Sequence, residues 1–310
     1  MPQVDSDPHS ITIKLVYCGP FGAGKTTNLL KLHGRLLDRH RSKMLPIDPK
    51  CSPFVESPHT ADMQAGPERA ARLAGSVSPY DSDRVAEDHQ PTLFFDLLPI
   101  VLTLQPSSSL RAPDAQAAQM RPVKLILRLL AGPGQLMHNH TRRLLLRGAD
   151  GVVFVADSER PLEENEQALI ALRTNLRDNG LAPDTLPMVM QLNKRDAAEQ
   201  RTDSLLAGRL RGNRADVELV PAIARTGVGV VETLLRLVAV VWPTLLHEHE
   251  DVAASNLDLP WLLQELGAAL QASHIAHAIA ESDIAGVRCA LPPRSEPATS
   301  VVPRGSAGRS

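Results

Sequence analysis

The sequence predicts a doubly wound α/β fold, with a mainly parallel sheet, helices on both faces and a helical extension at the C-terminal end. Three observations carry this. The segment Ile11–Cys18 reads as a short strand and runs directly into Gly19-Pro20-Phe21-Gly22-Ala23-Gly24-Lys25-Thr26, after which Thr27 to about Arg39 reads as a helix. The stretch Gly151-Val152-Val153-Phe154-Val155-Ala156-Asp157 is a continuous apolar run of strand length, the mark of a central parallel strand buried on both faces. From there onward strands alternate with helices, the pattern of parallel β-α-β units.

The remaining elements follow in order. Residues 41 to about 90 are rich in Pro, Ser, Asp and His with scattered apolar residues; they read as a long disordered insertion, at about 43–88, with at most a helical turn at Ala65–Leu73. Thr92–Leu102 is a strand or strand pair, and Gln105–Arg121 is a second Pro/Ser/Ala/Gln-rich insertion, at about 105–121. Val123–Leu130 is a strand, punctuated by Gly132-Pro133-Gly134 and followed by a helix from about Thr141 to Arg147. A helix spans Pro161–Asn179 and stops at Gly180. The apolar run Leu186–Met190 is a strand, followed by a helix around Ala197–Leu210, a strand at Val217–Pro221 and a helix at Val228–Leu246 whose leucine stripe is core. This divides the chain into a flexible N-terminus (1–10), one nucleotide-sized domain (11–246) and an extension (247–310). In the extension Leu259, Leu262, Leu263, Leu266, Leu270 and Ile275 fall at helical spacing, predicting one amphipathic helix over about 258–280, packed on its own core or on a partner, before a disordered tail.

Composition narrows the class. Of 310 residues 43% are hydrophobic but only 3% aromatic, so the core is built from Leu, Val, Ile and Ala. A net charge of −2 with balanced signs argues against a nucleic-acid partner. Cys18, Cys51 and Cys289 are few, odd in number and widely spaced, which suits a reducing compartment. Met1–Ser10 is polar, no uninterrupted apolar run reaches membrane-spanning length, and no Lys or Arg lies between Asp251 and Val287 to give the extension a lipid-binding face. The expectation is a soluble, cytoplasmic chain without a transmembrane segment.

Two motifs carry chemistry. Gly19 to Thr26 has the G-x-x-x-x-G-K-[ST] spacing of a P-loop NTPase. Its strand–loop–helix setting lets the backbone N–H groups of Gly22, Ala23, Gly24 and the helix start converge on phosphate oxygens. Lys25 bridges the outer phosphates and the Thr26 hydroxyl ligates Mg²⁺, with Thr27 continuing the helix start. The second motif, Asn193-Lys194-Arg195-Asp196, follows the apolar run Leu186–Met190 and is the guanine-reading N-K-x-D element. A carboxylate at Asp196 accepts from N1–H and the 2-amino group of guanine; adenine offers a bare N1 acceptor and no 2-amino group, a mismatch that is costly in a desolvated site. Asn193 ties this loop to the phosphate loop, and the Lys194 stem covers one face of the base. Two weaker signals read as solvent-facing: His138-Asn139-His140 and His247-Glu248-His249 lack further ligands at metal spacing, and Arg142, Arg143 and Arg147 form a solvated or loop-flanking helix face.

With both motifs placed, the chain resembles the bacterial MglA-type Ras-like GTPases of gliding motility and cell polarity, over about Ile11–Leu246 apart from the insertions. The resemblance rests on Gly-Pro before the phosphate loop and Gly-Lys-Thr-Thr-Asn at its end, and on Thr92-Leu93-Phe94-Phe95-Asp96-Leu97-Leu98-Pro99. It rests also on Gly132-Pro133-Gly134-Gln135, the segment Arg143–Ser158, Leu172-Arg173-Thr174-Asn175-Leu176, the N-K-x-D element and Thr226-Gly227-Val228-Gly229-Val230. It implies that Thr92 is the first-switch threonine closing over Mg²⁺ and the γ-phosphate, that Gln135 orients the attacking water, and that the Ala224 backbone N–H reaches guanine O6. It further implies a cycle between GTP and GDP forms, a roadblock-fold activating partner and an effector the sequence does not identify.

Three departures bear on rate. Pro91 stands where the family tends to carry an arginine, and Arg84 is the nearest arginine upstream. Phe21 replaces the usual glycine and would crowd the γ-phosphate. The strand ending Leu130-Ala131 lacks the aspartate that most small GTPases use for a water-mediated Mg²⁺ contact, a loss MglA-type proteins tend to share. The resulting expectation is a guanine-nucleotide switch with slow hydrolysis. Two rivals stay open: a nucleotide-locked scaffold, favoured by Phe21 and Pro91, and a P-loop ATPase or kinase, against which Asn193 to Asp196 argue.

Overall fold

A computed structural model describes residues 10–47, 95–104, 122–132, 139–196, 208–212, 214–249, 252 and 257–287. Its centre is β1 (Ser10–Cys18), whose alternation sends Ile11, Ile13, Leu15 and Tyr17 into one core and Val16 into the other. The strand pairs in parallel with β4 (Val123–Ala131) on one side and β5 (Gly151–Asp157) on the other. Beyond β5 lie β6 (Met188–Asn193) and β7 (Glu218–Pro221), both parallel. Beyond β4 lie β3 (Phe95–Leu104) and the edge strand β2 (Leu45–Ile47), both antiparallel to their neighbours. The described sheet thus has seven strands in the order β2-β3-β4-β1-β5-β6-β7.

Helices cover both faces. On one, α1 (Lys25–Arg35) and α4 (Val230–Glu248) pack through Leu29, Leu32, Leu234, Leu235 and Trp242. On the other, α2 (Asn139–Leu146) and α3 (Leu162–Asp178) pack through Leu145, Leu146, Leu169, Leu172 and Leu176. Every residue of β5 is buried, as the unbroken apolar run predicted. Among the described residues α4 is the one helix long and apolar enough to cross a membrane. Its Leu234, Leu235, Leu237, Val238 and Trp242 are all at most 1% exposed, and it lies between the sheet and the extension as a core helix.

Several boundaries move. The first helix begins at Lys25 and ends at Arg35, with a 3-10 turn at Asp38–His40. β2 lies inside the span that the sequence reads as the first insertion, because its backbone completes the edge of β3. The rest of that insertion, the second insertion, the tail and most of the helix expected around Ala197–Leu210 lie outside the described residues, though 208–211 are helical. The extension is two helices rather than one, α5 (Leu259–Ala269) and α6 (Ser273–Val287). Gln271 at φ 54 breaks them: Ala272 N–H donates to Gly267 O at 2.8 Å and Gln271 N–H to Ala268 O at 3.1 Å, a Schellman closure with a glutamine where glycine is usual. Both helices join the α1/α4 core through Leu262, Leu263, Leu266, Ala276 and Ile279, so the extension packs on its own domain.

Candidate functional site

The loops at the carboxyl ends of β1, β5 and β6 meet over the start of α1, where open parallel sheets place their ligand sites. Two glycines shape the first loop. A β-carbon on Gly19 (φ 145) would collide with the Val155 carbonyl oxygen, and one on Gly24 (φ 96) with the Asn193 amide. Lys25 is buried, and its Nζ donates to Pro20 O at 2.7 Å and Gly19 O at 3.2 Å, folding the loop around its own ammonium. Burial pushes that group down to about 8, helped by the like charges of Arg142 and Arg160.

The N-K-x-D loop is locked to the phosphate loop. Asn193, 2% exposed, donates from Nδ2 to Ala23 O at 2.7 Å and accepts at Oδ1 from Ala224 N–H at 2.8 Å. One amide therefore joins the phosphate loop, the end of β6 and the loop after β7. The Ala224 N–H assigned by resemblance to guanine O6 is engaged here with Asn193, so a base must share or displace that bond. Lys194 takes positive φ (64), and its ammonium reaches Asp157 Oδ2 at 2.7 Å and Glu159 Oε2 at 2.9 Å. Asp196 accepts from Arg225 Nη2 at 2.9 Å, which holds its carboxyl below the usual range. Gly22 and Thr27 lie in the loop and the first turn of α1 beside these groups. Thr92, Gln135 and Pro91 lie outside the described residues.

Sequence reasoning missed two features. Asp96 is 1% exposed and accepts from Thr26 Oγ1 at 2.5 Å. It stands on β3 directly across from Ala131 on β4, so the carboxylate missing from the end of β4 is present on the adjacent strand. The only sequence signal was the Asp within Phe94-Phe95-Asp96-Leu97, an acidic residue in an apolar strand. The second feature is a buried amide chain. Asn28 and Gln191 exchange hydrogen bonds of 2.8 and 2.9 Å, Asn28 also donates to Gly24 O at 2.9 Å, and Gln191 donates to Thr233 Oγ1 at 2.9 Å. It ties α1, β6 and α4 together beneath the two loops.

Hard oxygen donors side by side, the Thr26 hydroxyl and the Asp96 carboxylate, fit Mg²⁺. Among the described residues no group of three or more His, Cys, Asp or Glu could hold a metal ion.

No family model matches the chain. It is 30% identical over 235 residues to the mutual gliding-motility protein MglA of Myxococcus xanthus (strain DK1622), a match covering 76% of this chain and 92% of that protein. On that likeness, with both motifs in place on a P-loop fold, the chain belongs to the MglA-type bacterial Ras-like small GTPases.

Proposed function

We propose that the protein is a guanine-nucleotide switch of bacterial motility or polarity that hydrolyses GTP slowly. The observation that carries this reading is Asn193, whose buried amide holds Ala23 of the phosphate loop and Ala224 of the base loop at once. Lys25 is already poised between Pro20 O and Gly19 O, ready to exchange one carbonyl for a phosphate oxygen. The base lies against the N-K-x-D loop, where Asp196 leaves Arg225 in part to accept from guanine.

Thr26 and Asp96 would hold Mg²⁺, with the Asp96 carboxylate standing in for the one absent at Ala131. When bound, the ion neutralises charge on the β- and γ-phosphates. Thr92 closes the site and Gln135 directs the attacking water, as the resemblance implies. Pro91 supplies no charge, so the isolated protein turns over at or below about 10⁻³ per second, and a roadblock-type partner raises the rate.

Titration calorimetry of purified protein with GDP, GTP and ATP, with and without Mg²⁺, tests the reading. Guanine nucleotides are expected to bind at least tenfold tighter than ATP, and more tightly with Mg²⁺. Equal affinity for ATP and GTP would overturn the guanine assignment.

A further inference from the structure

The wall facing the phosphate loop across β5 carries a charge that neither motif uses. Arg160 lies in the turn between β5 and α3, and its Nη2 stands 3.7 Å from where a β-carbon on Gly22 would sit. Two carboxylates aim it. Its Nε is 3.4 Å from Asp157 Oδ2, and its Nη1 donates to Glu164. The Asp157 side chain is fully buried, so that anchor is fixed, whereas Glu164 is 44% exposed and easily exchanged for another anion. With Arg142, Lys25 and Phe21, Arg160 lines a cavity of about 520 Å³ between the phosphate loop, α2 and α3. It is also close enough to Lys25 to depress that ammonium.

We infer that Arg160 supplies from within the chain the positive charge that Pro91 cannot, exchanging Glu164 for an outer-phosphate oxygen of GTP. This rests on the guanine-nucleotide reading above. In the reaction the water oxygen bonds to the γ-phosphorus as the bond to the β,γ-bridging oxygen breaks. The electron pair leaves on the β-phosphate of GDP, and the water proton ends on inorganic phosphate or solvent. Negative charge grows on that bridging oxygen, and Gly22 belongs to the stretch of loop that wraps it. A guanidinium held beside Gly22 offsets the growing charge with little reorganisation. A slow rate would follow from the same geometry, because the fork is shared with two carboxylates until the phosphate draws it away.

The test uses the full chain and measures single-turnover GTP hydrolysis and GDP affinity by calorimetry for wild type, Arg160→Ala and Arg160→Lys. Both variants are expected to hydrolyse more than threefold slower than wild type, the alanine about tenfold or more, while GDP affinity falls by a clearly smaller factor than the rate. Lysine keeps a charge for Asp157 and so controls for misfolding, yet a single ammonium cannot serve both Asp157 and a phosphate. A rate for Arg160→Ala within threefold of wild type, or a GDP affinity that falls by the same factor as the rate, would overturn the inference. Failure of the wild type to bind GDP is a separate result and would overturn the nucleotide reading itself.

Discussion

At the scale of single residues, the proposed Mg²⁺ site puts on Asp96 of β3 the carboxylate that the end of β4 lacks. Position 131 on β4 is alanine, but its register partner on β3 is a buried aspartate holding the Thr26 hydroxyl. Asp96→Asn keeps the shape and removes the charge; it is expected to weaken Mg²⁺-dependent GDP binding at least tenfold while leaving Mg²⁺-free binding within about threefold, read by calorimetry with and without EDTA. Asp196→Asn is expected to shift preference from guanine toward xanthine, whose N1–H and 2-oxo pattern suits an amide, measured as competition between GDP and XDP. Lys25 gives a pH signature. Burial lowers its pKa from 10.5 to about 8, so between those values the unfolded chain binds more protons than the nucleotide-free fold. Stability of the nucleotide-free protein therefore rises as pH climbs from about 8 to 10.5, and the burial penalty is fully present below 8. Phosphates beside Lys25 restore its charge, so GDP binding at pH 8.5 is expected to take up protons, and at pH 6.5 Lys25 contributes none. Binding enthalpies that do not vary with buffer ionisation enthalpy at pH 8.5 would show that Lys25 does not titrate there.

At the scale of elements, what the sequence made legible follows from how local each signal was. β1, the phosphate loop, β5 and β6 were readable because unbroken apolar runs and glycines at fixed offsets are local properties. β2 was not, since Leu45-Pro46-Ile47 is three residues next to a Pro/Ser-rich stretch, and only its pairing with β3 makes it a strand. The break between α5 and α6 was hidden for a different reason. Leu259, Leu262, Leu263, Leu266 and Leu270 keep helical spacing up to it, and the positive-φ residue that turns the chain is Gln271 rather than a glycine. In the site, Asn193 was legible from its motif, while the partners of Asp96, Asn28 and Gln191 lie on elements distant in sequence and could not be read locally. The edge strand leads to a prediction. Deleting 49–88 with a short linker spares β2 and is expected to leave GDP affinity within a few-fold, because loop-closure entropy varies slowly with length. Deleting 43–88 also removes Leu45–Ile47 and strips the edge of β3, so the same assay should show weaker binding and poorer solubility.

At the scale of the whole molecule, the C-terminal extension is part of the nucleotide domain's core. Leu262, Leu263, Leu266 and Leu270 are fully buried in the cluster that holds α1 and α4. The turn after α5 also grips the end of α1: Leu37 N–H donates to Ala269 O at 3.0 Å, and Gln271 Nε2 donates to Arg35 O at 3.0 Å. Since α1 begins at Lys25, the helix that presents the phosphate loop is fixed at its far end by the extension. Truncation after residue 249 removes this cover and exposes apolar surface on α4. Loss of a single buried leucine costs roughly 2–5 kcal/mol, and net domain stability is only about 5–15 kcal/mol. The truncated chain is therefore expected to be insoluble or to unfold at least 10 °C below the full chain. Leu263→Ala offers a milder probe, expected to lower the unfolding midpoint by several degrees. If the extension acts through stability alone, saturating GDP should recover part of the loss in Leu263→Ala by mass action, with GDP affinity nearly unchanged. If it also sets the position of α1, Gln271→Ala should weaken GDP binding by more than its small effect on the melting midpoint explains. A truncated chain as stable as the full one, read by thermal unfolding in the same buffer, would show that the α5–α6 hairpin is dispensable to the fold.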